Sequence, residues 1–160
     1  MLYADVVEFI NSRIADNLMD NTAEQKLNRA KKAFELTNIH VDPSKIILVA
    51  GTNGKGSTSA MLAHLLRSAG KRVGLYTSPH LVKINERINL AEDITNDEFV
   101  ESFEYARSLG LELSHFEYLT IMACHHFFIR NHVDYAIFEV GCGGLYDATN
   151  AIPHNTCVIT

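Results

Sequence analysis

The amino-acid sequence predicts an α/β domain in which helices cover both faces of a mainly parallel sheet. Two observations lead to this fold class. Short apolar runs alternate with helical patterns along the whole chain, and residues 45–77 read as a strand, a helix and a second strand. The 160 residues suffice for one domain, and 47% hydrophobic with 21% charged content is ordinary for a globular protein. Ligands of such sheets bind at the carboxyl ends of the strands.

Two helices are predicted before the first strand, which lies within 45–50. Apolar residues at helical spacing define them: Val6, Ile10, Ile14 and Leu18 in the first, and Leu27, Ala30 and Phe34 in the second. The second helix begins at a capping pair, Thr22 and Gln25. The helix after the first strand presents one apolar face: Met61, Leu62, Leu65, Leu66 and Ala69. Gly70 is a natural stop for that helix.

The rest of the chain repeats the alternation. Residues 72–77 form a second strand, and residues 78–94 form a long polar loop, which makes that loop a candidate lid or substrate clamp. Two further helices begin at capping boxes: Thr95 with Glu98, and Ser114 with Glu117. The second of these, apolar from Phe116 to Ile129, is predicted to be largely buried. Residues 133–140 and 155–160 are the third and fourth strands.

A glycine-rich turn joins the first strand to its helix. Glycines at 51, 54 and 56 allow a tight turn and close approach of the backbone to a ligand, and the following helix N-terminus favours an anion. Lys55 adds a positive charge, and Ser57 adds a hydroxyl suited to Mg²⁺. The strict pattern G-x-x-x-x-G-K-[ST] is not met, because Gly56 separates Lys55 from Ser57. We therefore interpret the turn as a variant phosphate loop in a three-layer P-loop-type nucleotide-binding domain.

Several polar residues should meet at the carboxyl edge of the sheet. Gly51, Ser78, Glu139 and the loop 141–150 all follow predicted strands. An acidic residue opposite a phosphate loop offers the hard oxygen ligand that a magnesium nucleotide requires. The sequence therefore predicts a Mg·ATP-type site at this edge.

Composition and charge exclude several other classes. A net charge of −5 without runs of Lys or Arg argues against nucleic acid as a partner. The N-terminus lacks the features of a secretion signal, and no apolar run is long enough to span a bilayer. Three cysteines without C-x-x-C spacing indicate neither zinc nor disulfides, which favours a cytoplasmic location. The spacing of His125, His126 and His132 does not suit a metal site.

Five motifs occur in order along the chain. They are V-A-G-T-N-G-K-G-S at 49–57, Y-T-S-P-H-L at 76–81, N-E-R-I at 85–88, F-E-x-x-T at 116–120 and E-V-G-x-G-G-x-x-D-A-T-N at 139–150. With them the sequence resembles the folylpolyglutamate synthase/dihydrofolate synthase family of the Mur ligase superfamily. The resemblance implies an ATP-dependent amide ligase, in which ATP phosphorylates a substrate carboxylate and the amine of L-glutamate then displaces phosphate. Dihydropteroate or a reduced folate would be the acceptor, Mg²⁺ the cofactor, and the enzyme a monomer.

The resemblance also assigns roles to individual residues. The phosphates of ATP would be held by Asn53, Gly54, Lys55, Gly56 and Ser57, with Lys55 as the catalytic residue. The metal ligands would be Ser57, Ser78 and Glu139. The pterin and its aminobenzoate arm would be received by His80, Arg87, Phe116, Glu117, Tyr146, Asp147 and Ala148. Phe116 is expected to stack on a flat ring, and Glu117 or Asp147 to accept hydrogen bonds from pterin N–H groups.

Two departures from the family pattern affect these expectations. Leu145-Tyr146 stands where many relatives have Arg-Leu, which leaves substrate preference open. The sequence also stops before the family's Asp-His-Thr segment and its C-terminal domain. We therefore expect residues 1–160 to be the N-terminal portion of the ATP-binding domain, inactive by itself. Two alternatives stay open: a non-catalytic nucleotide-binding module, and a Mur-type ligase acting on a peptidoglycan precursor.

Overall fold

The structure, a computed structural model, describes residues 1–14 and 22–160. Helices and strands alternate within these residues as the sequence predicts. The helices are α1 Tyr3–Ser12, α2 Ala23–Leu36, α3 Lys55–Ser68, α4 Asn96–Ser108 and α5 His115–Cys124. The strands are β1 Ile46–Ala50, β2 Val73–Tyr76, β3 Ile88–Asn89, β4 Tyr135–Glu139 and β5 Thr156–Ile159. Both helices predicted before the first strand are present.

The five strands of the described residues form one sheet in the order β3-β2-β4-β1-β5. β1 pairs in parallel with β4 and with β5, and β2 pairs in parallel with β4. Only the short β3 is antiparallel, paired with β2. The predicted mainly parallel sheet is therefore confirmed. Since β4 lies between β1 and β2, the residues that follow these three strands are neighbours at one edge.

The side chains of the sheet alternate between two hydrophobic clusters. On one face, Val49 and Ile137 pack with Ala63 of α3. On the other face, Leu48 and Phe138 join the larger cluster, which also contains buried residues of α1, α2, α4 and α5. Glu139 follows Phe138, so it points to the α3 face of the sheet. Within the described residues the predicted three layers are therefore present, with α3 on one face of the sheet and α1, α2, α4 and α5 on the other.

The capping boxes predicted at three helix starts are all present. Thr22, Thr95 and Ser114 each accept a hydrogen bond from the backbone N–H three residues later, at the starts of α2, α4 and α5. At its other end, α3 closes as predicted at Gly70, which has a φ of +77°. The Lys71 N–H donates to Leu66 O at 3.1 Å, the bond of a Schellman motif.

The predicted apolar face of α3 is only partly correct. Met61 is 60% exposed and Leu65 is 65% exposed. The buried residues of the helix are instead Ser59 and Ala63. These two side chains are small, so α3 approaches the sheet closely along their line, with Leu62 and Leu66 partly buried beside them and Met61 and Leu65 turned outward.

The segment predicted as a loop at 78–94 contains regular structure. A 3₁₀ turn, Ile84–Arg87, leads into β3, which places Ile88 opposite Tyr76 and Asn89 opposite Leu75. The Glu86 carboxylate accepts hydrogen bonds from the N–H groups of residues 81–83 at 2.7 to 2.8 Å. The segment is therefore fastened to the sheet. Its predicted role as a lid or clamp remains a prediction.

The ends of two helices differ from the sequence pattern. α1 ends at Ser12, so Ile14 lies beyond it and is 51% exposed, while Leu18 lies outside the described residues. The buried helix α5 continues as π-helix over His125–Arg130. Within residues 1–14 and 22–160, no helix combines the length and the apolar character needed to cross a bilayer.

Candidate functional site

Glu139 occupies the centre of the carboxyl edge. It ends β4, and its side chain is 4% exposed. One carboxylate oxygen, Oε2, accepts a hydrogen bond from the Ser78 N–H at 2.9 Å. Toward α3, a Cβ placed on Gly56 would lie 3.6 Å from both carboxylate oxygens. The structure thus brings the segment after β2, the end of β4 and the first turn of α3 together, which is where the sequence placed Ser78, Glu139 and Ser57.

The glycine-rich turn between β1 and α3 has the backbone that its glycines allow. Gly54 is the N-cap of α3 with a φ of +78°, in the left-handed region that favours glycine. Lys55 begins the helix, and its Nζ donates to Gly51 O at 3.0 Å. Ser57 is exposed in the first helical turn. The N–H groups of the first helical turn and the helix dipole favour an anion at this position.

The turn is also held from β5. Thr160 Oγ1 donates to Asn53 O at 2.5 Å, and the Thr160 N–H donates to Ala50 O at 3.0 Å. A Cβ on Gly51, which has a φ of +143°, would lie 2.3 Å from Thr160 Oγ1. A larger residue at position 51 would therefore displace the strand end that fixes the turn.

Two neighbouring cavities open at this edge. The first, of about 260 Å³, lies between the turn and the loop after β4, and it is lined by Ala50, Gly51, Thr52, Lys55, Val140, Gly141, Cys142, Gly143 and Gly144. The second, of about 350 Å³, is lined by Lys26, Ser114, Phe116, Glu117, Gly141, Cys142, Tyr146, Asp147 and Ala148. We call the first of these the phosphate-loop cavity. Because Gly141 and Cys142 line both cavities, the phosphate-loop cavity and the second cavity adjoin.

Asp147 holds the loop that separates the two cavities. Its Oδ2 accepts from the N–H groups of Gly141 and Cys142 at 3.0 and 3.1 Å, and its Oδ1 accepts from the N–H and hydroxyl of Thr149 at 2.9 and 2.6 Å. Four donors fill the acceptor positions of a carboxylate. Asp147 therefore shapes the cavity wall, and the geometry gives it little capacity to accept the pterin N–H groups expected from the sequence.

Glu117 is the other acidic residue of the second cavity. It is 3% exposed, and its Oε2 accepts from Arg29 Nε at 2.9 Å and from the Ser114 N–H at 2.8 Å. The ion pair joins α2 to the start of α5. A buried, paired carboxylate of this kind is fixed in position, which suits an acceptor that must orient a ligand.

Phe116 is both a core residue and a cavity residue. Its ring lies 5.7 Å from the ring of Tyr76, centroid to centroid, and borders the second cavity. A Cβ on Gly141 would lie 2.8 Å from Phe116 Cζ. Only glycine at 141 lets the loop after β4 pack against this ring. Tyr146, 49% exposed, and Ala148 also line this cavity.

His80 and Arg87 form a separate pair. Arg87 Nε donates to His80 Nδ1 at 2.8 Å, so this imidazole nitrogen accepts and is unprotonated. Burial and, next, the Arg87 charge lower the pKa of His80. Neither residue lines the cavity of Phe116 and Glu117. The structure thus divides the residues that the sequence grouped as one substrate wall.

Several residues of the site were not found from the sequence. Lys26 and Arg29 reach it from α2, which the sequence marks only as an amphipathic helix. Cys142 was dismissed with the other cysteines, although it lines both cavities. Thr160 contacts the turn because β5 pairs with β1. For Lys26, Arg29 and Thr160 the proximity depends on tertiary packing, so no local signal marks it, whereas Cys142 lies in the loop 141–150 that the sequence placed at this edge. Within the described residues, no cluster of three or more His, Cys, Asp or Glu side chains suits a metal.

Known proteins resemble this chain in sequence and in structure. A dihydrofolate synthase/folylpolyglutamate synthase of Haemophilus influenzae is 38% identical over 136 residues, which are 84% of this chain and 31% of that protein. A bifunctional folylpolyglutamate synthase/dihydrofolate synthase of Yersinia pestis, complexed with AMPPNP and Mn ion, superposes with a TM-score of 0.88 at 32% identity, over 99% of this chain and 38% of the other. Escherichia coli FolC in complex with DHPP and ADP superposes with a TM-score of 0.83 at 33% identity, over 97% of this chain and 37% of the other.

The matches cover nearly all of this chain and only part of each relative. The chain spans about a third of the length of the curated relatives it matches, 31% for the protein from Haemophilus influenzae and 35% for that from Escherichia coli. No protein-family model matches the sequence. The agreement of sequence identity and fold nevertheless runs from α1 to β5. The chain belongs to the folylpolyglutamate synthase/dihydrofolate synthase family.

Proposed function

We propose that this chain supplies the phosphate-binding part of an ATP-dependent ligase that adds L-glutamate to dihydropteroate or to a reduced folate. A carboxylate oxygen of the acceptor attacks the γ-phosphorus of ATP, and ADP leaves. The amine of L-glutamate then attacks the acyl carbon, loses a proton and expels inorganic phosphate. Both activities are in the names of the relatives, and these residues would form the N-terminal portion of such an enzyme's ATP-binding domain.

The placement of Glu139 carries the proposal. A buried carboxylate faces the first turn of a helix that begins in a glycine-rich loop, with the Ser78 backbone on its other side. Without a cation, such a carboxylate would repel the phosphates that the helix N-terminus attracts. The carboxylate of Glu139 and the phosphates are therefore compatible when a divalent cation lies between them.

The residues present fit a bound Mg²⁺. The space beside Gly56 would be filled by a Cβ 3.6 Å from the carboxylate oxygens, so glycine keeps the approach to Glu139 open. Mg²⁺ prefers oxygen ligands and binds through one or two protein groups plus phosphate, so a single carboxylate suffices. Glu139, with the hydroxyls of Ser57 and Ser78, would hold the ion. Bound there, it would neutralise charge on the phosphates.

Lys55, in the wall of the phosphate-loop cavity, would bind the phosphates and offset charge that develops on the transferred group. Asn53, Gly54 and Gly56 would contribute the backbone of the anion site. In the structure Lys55 Nζ is held by Gly51 O. Binding of nucleotide would exchange this carbonyl for phosphate oxygens, since an ammonium bonds more strongly to an anion than to a neutral acceptor.

The second cavity would receive the acceptor. It is adjacent to the phosphate-loop cavity, as transfer from ATP to the acceptor's carboxylate requires. Phe116 and Tyr146 offer aromatic surfaces for a flat ring, Glu117 a fixed acceptor, and Ala148 a small wall residue. We place His80 and Arg87 toward a different part of the acceptor.

All three cysteines are free, which supports a reducing, cytoplasmic location.

The test is ADP release by the full-length protein with Mg·ATP and L-glutamate, comparing dihydropteroate, tetrahydrofolate and no acceptor. Turnover is expected with at least one acceptor, and it should fall by about 10³-fold in Lys55→Ala. Lys32→Ala removes the same charge from the exposed side of α2 and should leave turnover unchanged. Turnover only with a UDP-linked muramyl substrate would move the assignment to a Mur-type ligase. Binding of ATP without turnover on any acceptor would indicate a non-catalytic module.

A further inference from the structure

A third cavity lies at the opposite edge of the sheet, where β2 begins. Its volume is about 420 Å³, within the range of small-molecule sites. It is lined by Arg67, Lys71, Arg72, Val73, Leu90, Ala91, Asn131 and Val133. Three of these residues are cationic and four are apolar. None belongs to the cavities at the carboxyl edge, so this cavity is separate from the candidate site for ATP and the acceptor.

The turn at Gly70 brings the three cations together. α3 ends at Ser68, and the left-handed Gly70 reverses the chain so that Lys71 and Arg72 return beside the last turn of the helix. Cations near a helix C-terminus are favoured by its dipole, which accounts for Arg67 in that turn. Lys71 and Arg72 follow the end of the helix, are exposed, and line the cavity together with Arg67.

Arg67 forms the rigid part of the wall. Its Nη2 donates to Val73 O at 2.9 Å and to Asn89 Oδ1 at 3.0 Å, which ties α3 to β2 and β3. Its Nε is buried and has no hydrogen-bond partner among the described residues. Burial also lowers the pKa of this guanidinium. The hydrogen bonds of Nη2 fix Arg67 in place, so its guanidinium holds a positive charge at a set position in the cavity wall.

Lys71 and Arg72 retain donors for a ligand. Arg72 Nη1 donates to Asn131 O at 3.2 Å, a contact that engages only one of its three nitrogens. No hydrogen bond or ion pair involves the Lys71 ammonium within the described part of the chain. Asp134 accepts the backbone N–H of Arg72 at 2.8 Å, and none of the described residues that line the cavity is acidic.

We propose that this cavity binds a small organic anion, with its phosphate or carboxylate group on Lys71 and Arg72 and its apolar body against Leu90, Val73 and Val133. Arginine and lysine are the usual partners of these anions, and guanidinium can bind them through two parallel hydrogen bonds. The apolar residues favour a ligand with a hydrocarbon or aromatic body over a bare inorganic ion. This site would be independent of the reaction at the carboxyl edge.

The experiment uses the full-length protein saturated with Mg·AMPPNP, which blocks the phosphate-loop cavity. Ligand-observed ¹⁹F NMR follows the binding of 4-(trifluoromethyl)phenyl phosphate, 4-(trifluoromethyl)benzoate and the neutral 4-(trifluoromethyl)benzyl alcohol. Saturable binding of one or both anions is expected, with no binding of the alcohol, and the preferred anion tells phosphate from carboxylate. Inorganic phosphate alone should displace the probe only weakly.

Lys71→Ala and Arg72→Ala are each expected to weaken binding of the anion by about tenfold, the effect of one charged hydrogen bond. Lys71→Arg should restore binding, and Lys32→Ala, an equal change of net charge on α2, should leave it unchanged. Both residues are exposed, so their replacement leaves the core intact. No saturable binding of either anion would overturn the proposal. Equal weakening by Lys32→Ala would do the same, because the effect would then come from overall charge.

Discussion

Replacing Gly56 with alanine separates the stability of the fold from the binding of Mg·ATP. Gly56 lies in the first turn of α3, and the new Cβ would lie 3.6 Å from both oxygens of Glu139, an ordinary van der Waals distance. The fold therefore accommodates the methyl group. Alanine is also the better helix former, by up to about 1 kcal/mol in a helix interior and less in a first turn. We expect the free energy of unfolding to rise by about 0.5 kcal/mol.

The same methyl group should weaken nucleotide binding. It would occupy the space between the helix start and Glu139, where the cation and phosphates are proposed to lie. A displacement that breaks one charge-assisted contact costs about 1.5 to 3 kcal/mol, so the Kd for Mg·AMPPNP should rise by at least about tenfold. Calorimetric titration of the full-length protein measures the Kd, and urea denaturation measures the stability.

Ala60→Gly is the matched control. Position 60 is exposed in the same helix, and glycine there should lower stability by about 1 kcal/mol while leaving the Kd unchanged. Opposite behaviour of the two variants on both measurements is the expected result. If Gly56→Ala binds Mg·AMPPNP as tightly as the unmodified protein, the space beside Glu139 is not the cation site. If it unfolds more easily, the helix start is more tightly packed than the structure indicates.

Three further predictions concern the core, the site and pH. Gly74→Ala would place a Cβ 2.5 Å from Phe127 Cγ and should lower the free energy of unfolding by about 1 to 3 kcal/mol in urea denaturation, with recovery when Phe127→Leu is added. Cys142 lines the phosphate-loop cavity and Cys157 is exposed on β5. Saturating Mg·AMPPNP should therefore slow iodoacetamide labelling of Cys142 but not of Cys157, measured by mass spectrometry of the peptides. Equal protection of both would argue against nucleotide binding in this cavity. His126 is 2% exposed, and burial lowers its pKa to about 4 from about 6.5, so the unfolded chain binds the extra proton between these pH values. The free energy of unfolding should therefore fall as pH drops from about 6.5 to 4, and His126→Phe should reduce this slope; an unchanged slope would contradict the assignment.

Local patterns predicted most of the elements and much of the site. The capping boxes at Thr22, Thr95 and Ser114 begin helices because each needs only residues three positions apart. The glycines at 54 and 70 take the left-handed conformations that their places in the sequence suggested. The expectation that Ser78 and Glu139 meet relied on one rule about parallel strands, and their hydrogen bond at 2.9 Å agrees with it.

Predictions failed where one segment depends on a distant one. The antiparallel strand β3 was missed because its two residues pair with β2 through backbone groups, which leave no side-chain pattern. Met61 and Leu65 were expected inside, yet the close approach of Ala63 to the sheet leaves them in solvent. The hydrogen bonds of Asp147 within its own loop were also not foreseen, and its role toward the pterin stays a prediction.

The sequence by itself determined the α/β class, the order of helices and strands, the glycine-rich turn and the family, because each depends on residues close together in the chain or on motifs read in order. Tertiary structure alone decided that β4 lies between β1 and β2, so that Glu139 stands between the turn and Ser78. It also decided that Arg29 pairs with Glu117 across two helices. The physical reason is that burial and hydrogen bonding act between surfaces brought together by folding, and the position of a residue along the chain does not reveal which surface will face it.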